Sequence, residues 1–193
     1  REEHVIITNK HVVEDLKDHI NVSFNLSRNG IPINYPRFRC KLPVNSSNII
    51  NHPNMDLCAI RLNPHLNYIK TSLMDIIKNS DKSELSVEVL SDDIYDIYYK
   101  CVYEDMFVNS PLNFIEDVLV IGYPLGQHDK FNYTPIYRKG ITATDPNLDY
   151  NNHPQFVIDC ACFPGSSGSP VFTYNLISSR ILGILYETPF IND

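Results

Sequence analysis

Short runs of valine, isoleucine, leucine, tyrosine and phenylalanine, cut by polar links that carry proline, constrain the fold of this chain most tightly. They fall at residues 4–8, 20–26, 37–43, 57–62, 118–122, 138–144, 155–162, 169–174 and 181–186. Runs of this length between turn signals predict an all-β barrel pair or sandwich. Ile69, Leu73, Ile76 and Ile77 recur at helical spacing and predict a short helix over 68–79. The acidic, aromatic stretch 91–106 reads as a solvated connection. At 193 residues, 43% of them hydrophobic, the chain can bury the core of one domain or of two half-barrels.

Residues 163–170 read Phe-Pro-Gly-Ser-Ser-Gly-Ser-Pro. Gly165 and Gly168 allow a tight, partly left-handed path that a side chain would block. Such a path can aim N–H groups at one point, which is what an oxyanion hole requires. Ser167 is then a candidate nucleophile, and it needs a base and an orienting acid. All seven histidines (His4, His11, His19, His52, His65, His128 and His153) precede it. That order excludes the α/β-hydrolase arrangement, in which histidine follows serine, and Gly-x-Ser-x-Ser also departs from that fold's elbow.

His11 has the best context among the seven. It follows the apolar run Val5-Ile6-Ile7 and precedes Val12-Val13 and the acidic Glu14-Asp15, so it sits at a strand-to-helix corner. Asp56 opens the alternating run Leu57-Cys58-Ala59-Ile60, where a half-buried carboxylate can accept an imidazole Nδ1–H and fix its tautomer. Asp75, Asp92 and Asp93 are the alternative acids. His52 with Asp15 or Asp18 is the rival pair for an aspartate–histidine–serine order.

Thr8-Asn9-Lys10-His11-Val12-Val13, Asp56-Leu57-Cys58-Ala59-Ile60 and Gly165-Ser166-Ser167-Gly168-Ser169-Pro170 resemble the three signatures of trypsin-like, chymotrypsin-fold serine peptidases. The resemblance is closest to bacterial trypsin-like peptidase domains and the HtrA branch. Val118-Leu119-Val120-Ile121-Gly122-Tyr123-Pro124 and Leu182-Gly183-Ile184-Leu185-Tyr186 resemble two further family segments. The resemblance implies an all-β fold of two antiparallel six-stranded β-barrels with one or two short helices. It also implies one peptidase domain over 1–193, with an N-terminal barrel at about 1–100 and a C-terminal barrel at about 117–193. Only ten residues precede His11 and only five follow Thr188, so strands are expected to be missing at both ends.

The implied activity is serine endopeptidase, with His11, Asp56 and Ser167 as triad and the N–H groups of Gly165 and Ser167 as oxyanion hole. A latent module that binds a partner, or awaits a sensor domain, is the alternative. A related cysteine peptidase is disfavoured by the serine. Digestive members of the family carry an aspartate at the position of Ser166, to pair with a freshly cut N-terminus. The resemblance therefore implies no switching by clipping, and leaves room for a regulatory domain or partner protein. Ala161 falls at the floor of the implied substrate pocket, with Leu185, Tyr186 and Thr188 on its wall. An uncharged floor predicts no preference for cleavage after lysine or arginine.

Composition narrows the partners. A net charge of −7 without basic runs argues against nucleic acid, and no apolar stretch approaches a membrane span of about 20 residues. Protein or peptide is the expected substrate. Five cysteines, mostly in strand-like runs, favour buried free thiols and a cytoplasmic setting. His153, Cys160 and Cys162 supply at most three of the four ligands that a structural zinc needs, so no metal or cofactor is expected.

Overall fold

In the computed structural model the described residues are 4–16, 18–29, 31–43, 47–62, 67, 95–98, 104–130, 132–175 and 179–186. The chain divides into two compact units, Arg1–Cys101 and Val102–Asp193. Both are built from antiparallel strands, and the fold is the all-β one that the resemblance implies.

The first unit contains β1 (Val5–Thr8), α1 (Lys10–Glu14), β2 (His19–Arg28), β3 (Ile31–Pro43), β4 (Ile49–Asn51), β5 (Cys58–Arg61) and β6 (Tyr95–Tyr98). One sheet has the order β1-β5-β4 and the other β3-β2-β6. The register of β1 on β5 runs from Val5 opposite Arg61 to Thr8 opposite Cys58. Alternation along β5 turns Cys58 and Ile60 inward. They join Val13 of α1 in a core flanked by Ile6, Leu16, Ile20 and Ile49. β2 and β3 form a long hairpin, from His19 opposite Pro43 to Arg28 opposite Ile31, with an irregularity between Asn25 and Leu26.

The second unit contains β7 (Asp117–Gly122), β8 (Ile136–Thr142), β9 (Ile158–Asp159), β10 (Pro170–Thr173) and β11 (Ile181–Ile184). They form one five-stranded sheet in the order β11-β10-β7-β8-β9. Phe107 adds a short parallel bridge to Ile181 at the β11 edge. Val118, Val120 and Val171 are buried together, with Ile158, Cys160, Leu182 and Leu185 packed against them.

β8 inverts the usual pattern of apolar inside and polar outside. Arg138 and Thr142 are buried, whereas Tyr137 and Ile141 are exposed. Gly140 lies between the two buried polar residues, and a Cβ there would fall 2.3 Å from the Asp159 carbonyl oxygen of β9. Gly122, the last residue of β7, is crowded in a similar way. A Cβ on it would meet Ser169 Oγ at 2.0 Å and Ser169 Cβ at 3.0 Å.

Six strands per barrel are expected; among the described residues the first unit has six, as two three-stranded sheets, and the second has five plus the Phe107 bridge. Elsewhere the structure adds to the sequence reading. Stretch 91–106 is not only a connection, because Tyr95–Tyr98 pairs with Asn25–Arg28 of β2. β4 was also not foreseen. The helix expected over 68–79 lies outside the described residues. None of the helices among the described residues is long and apolar enough to cross a membrane.

The Gly140 contact gives a test. Gly140→Ala forces a methyl group against the β9 backbone and is expected to cost about 1–3 kcal/mol in urea unfolding. Gly183→Ala, where a Cβ meets nothing within 4 Å, is the control and is expected to cost far less.

Candidate active site

Strand β1 ends at Thr8, and Asn9 takes the N-cap position of α1 with extended backbone angles, φ −82° and ψ 151°. An asparagine there commonly accepts an N–H from the first turn through its own side chain. Asn9 makes no such bond; its Nδ2 donates instead to the Asp56 carbonyl oxygen at 2.8 Å. The capping is done from across the sheet. Asp56 Oδ1 accepts the main-chain N–H of His11 at 3.1 Å, and Asp56 Oδ2 lies 2.5 Å from His11 Nδ1. One carboxylate therefore grips both the backbone and the ring of His11. The β1–β5 pairing makes this possible, since Thr8 opposite Cys58 leaves His11 and Asp56 just beyond the paired ends.

Burial pushes the Asp56 carboxyl upward in pKa, but other contributions outweigh it. The hydrogen bonds from the His11 ring and main chain, the His11 charge and the Lys10 main chain favour the ionised form, and the net pKa lies below the ordinary carboxylate value. A carboxylate held this way fixes the proton on Nδ1 and leaves Nε2 as the basic nitrogen.

The second unit carries the serine loop, built as two consecutive turns that share Ser166. In the first, Ser166 N–H donates to Phe163 O at 3.0 Å, with Pro164 and Gly165 (φ +81°) at its centre. In the second, Ser169 N–H donates to Ser166 O at 3.0 Å, with Ser167 and Gly168 (φ +83°) at its centre. A glycine of positive φ in third place is the type II signature, and proline in second place favours it. The carbonyl and N–H of a trans peptide point in opposite directions. Pro164 O is held by Leu125 N–H at 2.8 Å, so Gly165 N–H faces the other way. Ser166 O is held by Ser169 N–H, so Ser167 N–H is also turned away from its anchor. Among the described residues neither N–H finds an acceptor. These are two fixed, free donors beside a serine hydroxyl.

The family described as a trypsin-like peptidase domain matches residues 1–184. The chain belongs to that family. No curated protein and no solved structure matches it.

In this trypsin-like chain the other residues singled out by the sequence take distinct places. His52 is not poised as a base; its Nδ1 accepts the N–H groups of Asn54 and Met55 and shapes the loop that leads to Asp56. Asp75, Asp92 and Asp93 lie outside the described residues. Asp15 and Asp18 are exposed near α1. Ala161 is exposed, and its carbonyl accepts from Arg138 Nη1 at 3.0 Å. Leu185 pairs with the serine loop by accepting from Gly168 N–H and donating to Ser169 O, both at 2.9 Å. Tyr186 offers its carbonyl to Ser167 Oγ at 3.4 Å, and its hydroxyl donates to Gln155 Oε1 at 2.5 Å. Nothing in the sequence marks Gln155 for this contact, since it only opens the run 155–162. Thr188 lies outside the described residues.

Burial pushes the Cys58 and Cys160 thiols up, which makes them poor nucleophiles. Among the described residues no three His, Cys, Asp or Glu side chains gather as a metal site.

Two predictions follow from the His11–Asp56 geometry. A carboxyl whose folded pKa is depressed stabilises the fold above its unfolded value, here near 3.8, and loses that contribution as pH falls through the folded value. The stability difference between wild type and Asp56→Asn, from urea melts, is expected at neutral pH and should narrow in acid; a difference independent of pH would refute the ionic grip. Asn9→Ala removes the bond to the Asp56 carbonyl and is expected to cost about 1–2 kcal/mol in the same melts.

Proposed function

We propose that the chain is a serine endopeptidase that uses His11, Asp56 and Ser167 as its triad. The observation that carries this reading is the double hold of the Asp56 carboxylate on His11, in a chain of the trypsin-like peptidase family. The free N–H groups of Gly165 and Ser167 add to the support.

In the proposed mechanism His11 Nε2 takes the Ser167 hydroxyl proton as Oγ attacks a peptide carbonyl. Asp56 keeps the ring oriented and stabilises the imidazolium. The N–H groups of Gly165 and Ser167 receive the oxyanion, each donor lowering the barrier by roughly 3 kcal/mol. His11 then gives its proton to the leaving amine. Water, deprotonated by His11, releases the acyl group from Ser167. Every proton moves through one imidazole, so the scheme requires no cofactor or metal.

The substrate is a protein or peptide, as the family implies. With Ala161 placed at the pocket floor by the family pattern, the pocket takes a small or medium apolar side chain in this reading. The free thiols of Cys58, Cys160 and Cys162 support a reducing, cytoplasmic setting.

A fluorophosphonate probe tests the triad. Labelling of wild type that is lost in Ser167→Ala and His11→Ala is the expected result. Folded wild type that takes no label would favour a trypsin-like scaffold acting through partner binding. A peptide library tests the pocket: cleavage after uncharged residues is expected, and strict cleavage after lysine or arginine would refute the Ala161 assignment.

A further inference from the structure

A buried guanidinium stands behind the serine loop. Arg138 of β8 is 8% exposed, and its Nη1 donates to Ser166 Oγ at 2.8 Å as well as to the Ala161 carbonyl. Ser166 Oγ also accepts the N–H of Phe163 at 3.4 Å. Arg138 thus ties the segment entering the loop to the corner shared by its two turns. Its Nε and Nη2 find no acceptor among the described residues. A guanidinium carries five N–H donors and a charge that cannot be shed, so burial with few partners is costly. No carboxylate bridges it among the described residues.

The chain has Ser166, with no charge, next to the proposed nucleophile. Beyond the turn's own bond from Ser169 N–H to Ser166 O, two anchors outside the loop hold the Pro164–Gly165 peptide and the corner that leads into the Ser166–Ser167 peptide. Leu125 N–H holds the first from one side, although Leu125 itself is a non-glycine residue at φ +53°. Arg138 holds the shared corner through the Ser166 side chain. Both anchors belong to the second unit, together with the loop they fix.

We infer that Arg138 is a positioning residue that keeps the Gly165 and Ser167 N–H groups aimed as oxyanion donors, acting through Ser166 Oγ and the Ala161 carbonyl. This rests on the oxyanion reading given above. Without the guanidinium the corner loses its side-chain anchor, and the two peptides can rotate away from the donor orientation. The charge itself takes no part in bond making; its effect is on how often the loop is ready.

The test compares wild type with Arg138→Met, Arg138→Lys and Ser166→Ala. Kinetics on a peptide substrate should show kcat reduced by roughly 10²-fold in Arg138→Met, the scale of losing one oxyanion donor, with KM changed by less than about threefold. Arg138→Lys, which keeps a donor and a charge, should recover part of the loss. Affinity for a peptide boronate, which forms a tetrahedral adduct, should fall in parallel with kcat. Hydrogen exchange of the amides at 163–168 should be faster in Arg138→Met than in wild type, with His11→Ala as a control of unchanged loop exchange. If Arg138→Met does not fold, Ser166→Ala carries the same comparisons. Unchanged kcat with unchanged loop exchange in a folded variant would overturn the inference. Absence of activity and of fluorophosphonate labelling in wild type would instead strike the peptidase reading, and loop exchange alone would then decide the role of Arg138.

Discussion

The register of β1 against β5 governs the histidine–carboxylate pair. His11 and Asp56 are 45 residues apart along the chain, yet both lie just past the paired residues Thr8 and Cys58. Side chains alternate faces along a strand, so a slip of one residue would exchange inward and outward positions. Ile60 and Cys58 would leave the core, and Asp56 would leave His11. Apolar burial thus enforces the polar contact: the same Cys58 and Ile60 that pack on Val13 fix where the carboxylate emerges. The short helix α1 depends on that placement too. It spans five residues, too few to be stable alone, and takes its cap from Asp56 in place of its own Asn9.

The serine loop follows a different logic. Hydrogen bonds shape it, to its carbonyls, to the buried Ser166 side chain and between Gly168 and Leu185. Pro164 O and Ser166 O are each engaged, and trans peptide geometry leaves the next N–H pointing away. Glycine at the third place of each turn permits φ near +80° at no cost from a side chain. The first unit holds His11 through a carboxylate–imidazole contact beyond the ends of β1 and β5, and the second presents backbone donors through paired turns.

Much of this was legible in the sequence because its signals are local. Phe-Pro-Gly-Ser spells a turn, and Thr-Asn-Lys-His after an apolar run spells a strand end. What escaped has no local sign. β6 hides in Tyr95-Asp96-Ile97-Tyr98, whose acidic neighbours outweigh its alternation, and it exists through pairing with distant Asn25–Arg28. β4 is three residues long and borrows its definition from β5. Arg138 opens the run 138–144 beside Lys139 with no local sign of burial, since nothing nearby shows that β8 turns its polar residues inward. Gln155 gains its meaning from Tyr186, 31 residues later.

One crowded spot ties two positions of the second unit together. The space that a Cβ on Gly122 would need is already filled by the Ser169 side chain, from the neighbouring strand's approach. Alanine at 122 would require the Ser169 hydroxyl to turn aside or be lost, so the residue at 169 conditions which side chains position 122 accepts.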